Sequence, residues 1–380
     1  MKAIVNAVLV RTNHLIEDGV LVFDEGRIID YGSSDRVKLP DNCEIIDAQG
    51  SYVGPGLIDI HTHAGGSTWF YEDPVKAARE NLLHGTTSVL PTLYFNTPKE
   101  QLLDQIQFVK EKSTQDEGRI IRGLYMEAPY LNPKFGADRE NNPWNRRVDV
   151  KDYAPLIEAA GDFAKVWCLA PELENIEGFV KDVKAAIPNI VFSVAHSEAS
   201  PAQIERLMPY GLRLATHHTN ATGDLVKYPE VRGVCVDETV NYNDDIYAEL
   251  ICDRKGIHVD PYMLRLVVKI KGKARIILVS DACVFDGPVP EGYEGATDIN
   301  FDWQGEIAGS KLTLDLACHN MMVHTGASLC DVFNYASTNP ARLLGFTTKG
   351  KIEKGFDADL IMVDDKMNVK TVILDGNRIK

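Results

Sequence analysis

Residues 54–63 of the chain read Gly-Pro-Gly-Leu-Ile-Asp-Ile-His-Thr-His and are followed at once by Ala64-Gly65-Gly66. The apolar run indicates a β-strand, in which residues i and i+2 point to the same face. His61 and His63 therefore aim at one point near the end of the strand, where the glycines let the chain turn away. Two neutral imidazoles that converge in this way suit a divalent metal ion, although ordinary histidines on a half-buried strand can have the same spacing.

This stretch opens a series of apolar, β-rich runs that alternate with amphipathic helical segments. The runs cover residues 57–63, 87–93, 120–126, 166–170, 190–196, 212–217, 249–259 and 275–280. About eight strands that alternate with helices in this way are typical of a parallel barrel rather than an open sheet. We therefore predict an α/β protein in which residues 54–345 form a (β/α)8 TIM-like barrel.

Both ends of the chain depart from this pattern, because they contain short strands, turn residues and little helical periodicity. Strands are indicated at residues 3–10, 18–23, 27–32, 44–47, 358–363 and 371–376. Neither terminal piece is long enough to enclose a hydrophobic core alone. We therefore predict that residues 1–53 and 346–380 combine into one small β-sandwich domain.

The composition is that of an ordinary globular chain with an excess of acidic residues. Of its 380 residues, 44% are hydrophobic and 25% are charged, and the formal net charge is −15. This charge argues against nucleic acids and anionic membranes as partners, because both require positive fields. No run approaches the ~18 uninterrupted apolar residues of a membrane helix, and we expect no signal peptide. The seven cysteines are scattered and include no CxxC pair, so we expect reduced thiols in a cytoplasmic protein.

Polar side chains stand at the ends of five of the predicted strands. They are, in chain order, His61, His63, Glu127, His196, His217 and Asp281. Each alone has an ordinary structural explanation, such as a paired carboxylate, a core histidine or a helix N-cap. The carboxyl ends of barrel strands surround one mouth, however, and so many buried polar groups are hard to satisfy there without an ion. Nitrogen and oxygen ligands without thiolate suit Zn²⁺, Fe²⁺, Mn²⁺ and Co²⁺ alike.

The same set of strand ends resembles the amidohydrolase superfamily. Over nearly the whole chain, the resemblance narrows to the N-acetylglucosamine-6-phosphate deacetylases. The motifs that carry it are residues 123–133 (Gly-Leu-Tyr-Met-Glu-Ala-Pro-Tyr-Leu-Asn-Pro), 169–172 (Leu-Ala-Pro-Glu), 195–197 (Ala-His-Ser), 216–221 (Thr-His-His-Thr-Asn-Ala), 256–259 (Gly-Ile-His-Val), 278–282 (Leu-Val-Ser-Asp-Ala) and 308–313 (Ala-Gly-Ser-Lys-Leu-Thr). It implies a metal-dependent hydrolase that removes the acetyl group from an N-acetyl amino sugar.

The resemblance also implies a metal centre with a shared carboxylate. Glu127, His196 and His217 would hold the main ion. His61 and His63 would hold a second ion, with Glu127 as the bridge between the two. One or two divalent ions are therefore expected, zinc foremost, with iron, manganese and cobalt as alternatives.

Further roles follow from the same resemblance. Asp281 would be the general base that takes a proton from the attacking water and passes it to the leaving amine. Asn220, Ala221 and His258 would line the sugar or its 6-substituent. The resemblance also implies a small amino-sugar substrate and a homodimer.

The sequence departs from the family pattern at two substrate contacts. Related deacetylases have a histidine that contacts the substrate amide, and Asp138 stands at that position here, which makes it a substrate-binding candidate. The arginine that pairs with the sugar phosphate is also missing, since Tyr228 falls near its position. Lys227 or Arg232 would have to replace it, although a lysine is a poorer planar phosphate clamp than an arginine. The substrate stays open between N-acetylglucosamine 6-phosphate, its galacto epimer and an unphosphorylated acetamido sugar.

Two further interpretations compete with an amino-sugar deacetylase. A cyclic-amide or dipeptide hydrolase on the same barrel is one, but such relatives often use a carboxylated lysine where Glu127 stands. The other is a non-catalytic binding protein, for which we would expect the loss of a ligand or of Asp281. None of these residues is missing.

Overall fold

The computed structural model describes residues 1–137 and 139–380. Its strands are, in chain order, β1 (Lys2–Val10), β2 (Leu15–Asp24), β3 (Arg27–Ser33), β4 (Glu44–Asp47), β5 (Tyr52–Pro55), β6 (Leu57–Thr62), β7 (Ala64–Gly65), β8 (Thr68–Trp69), β9 (Thr86–Leu93), β10 (Leu124–Met126), β11 (Ala164–Leu169), β12 (Val191–Val194), β13 (Leu212–Ala215), β14 (Tyr247–Ile251), β15 (Ile276–Val279), β16 (Ile299–Phe301), β17 (Ile307–Ser310), β18 (Leu360–Val363), β19 (Val369–Leu374) and β20 (Asn377–Arg378).

The α-helices follow the barrel strands and lie between them in the chain. They are α1 (Pro74–Leu83), α2 (Lys99–Lys112), α3 (Val150–Ala160), α4 (Ile176–Ala186), α5 (Pro201–Glu205), α6 (Val236–Tyr242), α7 (Pro261–Lys271), α8 (Leu314–Thr325), α9 (Leu329–Phe333) and α10 (Asn339–Leu344). Short 3₁₀-helices cover Asp116–Ile120, Arg139–Asn141, Gly161–Phe163 and Met208–Tyr210, and a π-helix covers Asn334–Thr338. Among the described residues, no helix is long and apolar enough to cross a membrane.

Parallel strands form the barrel. Their order around it is β6, β9, β10, β11, β12, β13, β14 and β15. The backbone links the last strand to the first, because the Asp281 N–H donates to His61 O (2.9 Å) and the His63 N–H donates to Ala282 O (2.8 Å). The predicted TIM-like barrel is therefore confirmed, and its closure brings the first and last strand ends side by side.

The barrel strands do not alternate between buried and exposed residues, because both of their faces are covered. Every residue of β6 and β9 is buried. The helices that cover them bury one face each; in α4, for example, the buried residues Ile176, Phe179, Val180 and Val183 recur at helical spacing. This packing leaves the strand ends as the place where polar side chains can meet.

The seventh barrel strand is shorter than the sequence indicated. It ends at Ile251 rather than at residue 259. Beyond the strand, Asp253 accepts hydrogen bonds from the backbone N–H groups of Lys255, Ile257 and His258. A carboxylate that accepts hydrogen bonds from three backbone donors of the following turn holds the chain in a tight loop instead of an extended strand.

Strands from both ends of the chain form the second sheet, as predicted. Its order is β20, β19, β18, β5, β1, β2 and β3, and β4 also pairs with β1. The two arms share one core, in which Ile4 and Leu21 pack with Leu360 and Ile373. All these strands belong to one continuous sheet, because β1 pairs with β4 along its first half and with β5 along its second. The domain boundaries at residues 53/54 and 345/346 stay a prediction.

Candidate metal centre

The predicted ligands lie at the carboxyl ends of their strands and converge on one another. His61 is the penultimate residue of β6, His63 directly follows that strand, and Glu127 directly follows β10. His196, His217 and Asp281 each come two residues after the end of their strands, β12, β13 and β15. Side chains from five strands therefore meet at one mouth of the barrel, where the sequence placed them.

Three of these residues have a left-handed backbone conformation. The φ angles are +42° at His196, +30° at His217 and +47° at Asp281. Residues other than glycine rarely adopt such angles, which cost on the order of 1–3 kcal/mol each. The surrounding barrel stabilises conformations that the isolated chain would avoid, as is common where the position of a side chain serves a function.

Glu127 lies between two pairs of imidazoles, and the first pair forms a tight triangle with it. Glu127 Oε1 is 3.1 Å from His196 Nε2 and 3.5 Å from His217 Nε2. The two Nε2 atoms are 3.1 Å apart. Two donors bound to a tetrahedral ion at about 2.0–2.1 Å lie roughly 3.3 Å apart. The triangle therefore has the size that a small divalent ion requires.

The second pair approaches the other oxygen of the same carboxylate. Glu127 Oε2 is 3.2 Å from His63 Nε2 and 3.8 Å from His61 Nε2. Asp281 Oδ1 completes this group at 3.3 Å from His63 Nε2 and 3.4 Å from His61 Nε2. The group is more open than the first, yet the donor atoms of His61, His63 and Glu127 all lie within 4.8 Å of one another. Both groups can hold a metal ion, with Glu127 common to the two.

Several buried polar atoms of the centre point to a cation. In the described part of the chain, His61 Nε2 and Glu127 Oε2 make no well-aligned hydrogen bond, although neither residue is more than 2% exposed. The opposite ring nitrogens are satisfied, because His61 Nδ1–H donates to Glu249 Oε2 (3.0 Å) and His217 Nδ1–H donates to Asn220 O (3.1 Å). These bonds leave the Nε2 lone pairs for a ligand inside the cluster. The donor set thus fits a divalent cation.

The charges of the centre lead to the same conclusion. Burial raises the pKa of Glu127, but hydrogen bonds with His196 and His217 outweigh burial and hold this pKa well below its ordinary value. Burial lowers the pKa of His61, yet the nearby carboxylates, Asp281 foremost, raise it to about 10. The buried carboxylates therefore demand positive charge within the cluster, and a divalent cation supplies it.

Glu249, in β14, is a functional candidate that the sequence interpretation missed. It is fully buried, and its Oε2 accepts hydrogen bonds from His61 Nδ1–H and from the His217 backbone N–H (3.3 Å). Its Oε1 accepts one from Tyr125 OH (2.8 Å), and the Tyr125 ring stacks on His61 with the centroids 4.5 Å apart. A carboxylate in this position fixes the orientation of a metal-binding imidazole. The signal in the sequence was an acidic residue inside an otherwise apolar run.

A cavity of about 210 Å³ opens over the metal centre. The predicted substrate residues Asn220, Ala221 and His258 line it. His258 is 6% exposed, and its Nδ1 lies 3.5 Å from Asp253 Oδ2, so that the loop after β14 positions the ring. In the residues that the structure describes, His258 Nε2 has no hydrogen-bond partner and is available to a bound molecule.

The other predicted substrate residues are not brought into this cavity. Lys227 and Arg232 lie on an exposed loop, outside the described cavity lining. Arg232 is engaged there, since its Nε and Nη2 both donate to Glu238 Oε1 (3.2 and 2.7 Å). Asp138 lies outside the described residues.

Two charged residues that the sequence interpretation did not single out also line the cavity. Arg139 follows the loop after β10, and Glu306 directly precedes β17. The two side chains form a bidentate ion pair, in which Arg139 Nη1 and Nη2 donate to Glu306 Oε2 (2.6 Å) and Oε1 (2.8 Å). They come from segments 167 residues apart, so only the barrel topology reveals their proximity.

The fold and the site together define a class of protein. A (β/α)8 barrel with buried histidines and a shared glutamate at the carboxyl ends of its strands is the architecture of a metal-dependent hydrolase. The profile of the amidohydrolase family matches residues 52–379. The chain belongs to this family, which confirms the resemblance inferred from the strand ends.

Several similar proteins carry the same name. The chain is 29% identical to N-acetylglucosamine-6-phosphate deacetylase of Bacillus subtilis, over 97% of this chain and 94% of the relative. It is 26% identical to the human protein of the same name, over 97% of this chain and 90% of the relative. Among solved structures, the N-acetylglucosamine-6-phosphate deacetylase of Pasteurella multocida superposes with a TM-score of 0.86 and 28% identity, over 100% of this chain and 99% of that one.

The role of Glu249 can be tested by removing its charge. We expect Glu249→Gln to weaken metal affinity by about tenfold to a hundredfold, because the substitution removes the carboxylate that orients His61. The measurement is a competition titration of metal-free protein against a chelator of known affinity.

The matched control is Asp182→Asn, which alters another carboxylate that accepts a hydrogen bond from a tyrosine, Tyr153, away from the metal centre. Its metal affinity should equal that of the wild-type protein. Equal affinities of all three proteins would contradict the assigned role of Glu249.

Proposed function

We propose that this protein hydrolyses the acetamide group of N-acetylglucosamine 6-phosphate and releases glucosamine 6-phosphate and acetate. The observation that carries the proposal is the convergence of two imidazole pairs on Glu127, with Asp281 beside them, at the base of a cavity of about 210 Å³. Membership of the amidohydrolase family and full-length similarity to deacetylases of this substrate support the choice of reaction and sugar.

We propose that Glu127, His196 and His217 hold the main ion and that His61 and His63 hold a second. Zinc is the first candidate, because nitrogen and oxygen donors at this spacing suit it, and iron, manganese and cobalt remain alternatives. A divalent cation bound there supplies a Lewis acid that polarises the amide carbonyl and lowers the pKa of water to about 7.

Asp281 is proposed as the general base. Its Oδ1 lies 3.3 Å from His63 Nε2, at the side of the metal centre that faces the cavity. The carboxylate takes a proton from the attacking water as the new carbon–oxygen bond forms. It then delivers this proton to the sugar nitrogen as the carbon–nitrogen bond breaks, so that a neutral amine leaves.

The sugar is proposed to lie between the metal centre and the mouth of the cavity. Asn220, Ala221 and His258 line this region and can fix the ring through the amide of Asn220 and the Nε2 of His258. Lys227, Arg232 and Asp138 stay predictions as substrate contacts. A cytoplasmic location likewise stays a prediction.

We also propose a homodimer, which the family resemblance implied. Exposed apolar side chains on and around α6 support a surface that a second copy can cover: Val226, Tyr228, Val231, Val234 and Tyr242 are each at least 49% exposed. We expect twice the mass of the chain, 42.2 kDa, in sedimentation equilibrium at micromolar concentration. A monomer under these conditions would refute the dimer and leave the proposed reaction untouched.

The reaction is tested by incubating metal-loaded protein with N-acetylglucosamine 6-phosphate and measuring acetate. We expect acetate in proportion to the free amine formed, and we expect removal of metal by a chelator to stop the reaction. The galacto epimer in a parallel assay serves as the comparison. Acetate from the epimer alone would show that N-acetylgalactosamine 6-phosphate, not N-acetylglucosamine 6-phosphate, is the substrate. No acetate from either sugar would refute the proposed function.

The general base is tested by Asp281→Asn, which keeps the size of the side chain but cannot accept the proton. We expect kcat to fall by about 10²–10⁴-fold while metal content stays near that of the wild-type protein. Asp286→Asn, a change to an exposed aspartate five residues along, is the control and should keep full activity. Wild-type turnover by Asp281→Asn would overturn its role as base.

A further inference from the structure

Arg139 is the one arginine or lysine among the described residues that line the cavity. The loop that carries it is tied to the metal centre, because a Cβ added at Gly136 would lie 2.8 Å from His196 Nδ1. Arg139 Nη1 in turn donates to Gly136 O (3.3 Å). The guanidinium is therefore held close to the side chains that would bind the metal ions.

The exposure of the side chains that line the cavity increases from the metal centre to the mouth. A sugar can therefore bind with its amide buried and its opposite end near solvent. The side chains of His61, His63, Glu127, His196 and His217 are at most 7% exposed, and that of Asp281 is 11% exposed. The side chains of Arg139 and Glu306 are 41% and 42% exposed. An amide bound at the metal centre places the rest of the sugar toward the mouth, where Arg139 lies.

The hydrogen bonds of Arg139 leave one edge of the guanidinium free. Glu306 takes one N–H of Nη1 and one of Nη2, and Gly136 O takes the second N–H of Nη1. A guanidinium has five N–H donors. Within the described residues, the Nε–H and the second Nη2–H therefore have no acceptor. These two donors lie on the same side-on edge, which matches two oxygens of a phosphate group.

We propose that Arg139 binds the phosphate of the substrate and thereby selects phosphorylated N-acetyl amino sugars, an inference that rests on the proposed deacetylation. Glu306 holds the guanidinium in place, so that less side-chain freedom is lost when the phosphate binds. The free Nε–H and Nη2–H donate to two phosphate oxygens.

Lys227 and Arg232 do not offer the same chemistry. Neither is part of the described lining of the cavity, and the side-on edge of Arg232 is occupied by Glu238. In Arg232, the Nε–H and Nη2–H edge binds the carboxylate of Glu238. The same edge of Arg139 has no acceptor among the described residues.

The test compares metal-loaded wild-type protein with Arg139→Met, Arg139→Lys and a control. The control is Arg147→Met, since Arg147 pairs with Glu174 on the surface and lies outside the described cavity lining. We expect Arg139→Met to raise KM for N-acetylglucosamine 6-phosphate by about tenfold to a hundredfold with kcat within about twofold, because a phosphate contact is lost far from the reacting bond. Its kcat/KM for unphosphorylated N-acetylglucosamine should not change.

Arg139→Lys should recover part of the lost affinity, because a lysine keeps the charge but not the two-donor edge. Unchanged KM for the phosphorylated sugar in Arg139→Met would overturn the proposal. So would an equal loss with both sugars, or the same selective loss in Lys227→Met or Arg232→Met.

A binding measurement separates this proposal from the proposed function. The dissociation constant of glucosamine 6-phosphate, measured by calorimetry on the same proteins, should rise about tenfold or more in Arg139→Met and stay constant in Arg147→Met. If the wild-type protein released no acetate but this pattern held, the deacetylation would fail and the phosphate contact would stand. No difference in binding between wild type and Arg139→Met would refute the contact itself.

Discussion

The carboxylate of Glu127 is the constraint on which the rest of the site depends. A buried carboxylate is stable only when positive charge or hydrogen-bond donors surround it. Here each oxygen faces its own pair of imidazoles, His196 and His217 on one side and His61 and His63 on the other. This arrangement requires strand ends from distant parts of the chain to lie side by side, and the closed barrel provides them.

The barrel also supplies the rigidity that the site requires. Left-handed backbone at His196, His217 and Asp281 is unfavourable in isolation and persists because the strands that precede these residues are packed on both faces. A second layer of contacts then fixes the rings, since Glu249 orients His61 and is itself held by Tyr125. Fixed donors and acceptors are what metal-assisted hydrolysis needs, because little reorganisation remains for the moment of reaction.

The sequence predicted the convergence of these histidines and carboxylates because strand ends follow simple rules. Alternation along a strand places His61 and His63 on one face, and parallel strands bring their carboxyl ends to one mouth, so the position of a polar residue after an apolar run predicts where it lies. Glu249 was missed because its partners, His61 and Tyr125, lie on other strands, and no pattern within its own strand reveals them. The ion pair of Arg139 and Glu306 was not predicted because loop conformations have no periodicity and the two residues lie far apart in the chain. Lys227 and Arg232 were inferred from the family resemblance alone, and they lie on the surface.

The central claim, that Glu127 joins two imidazole pairs around bound metal, is tested most directly by anomalous diffraction from crystals of zinc-loaded protein at the zinc absorption edge. The account predicts a strong peak within coordination distance of Glu127 Oε1 and the Nε2 atoms of His196 and His217. A second peak, if both sites fill, should lie beside Glu127 Oε2 and the Nε2 atoms of His61 and His63. Zinc-loaded crystals with no peak in contact with Glu127 would contradict it.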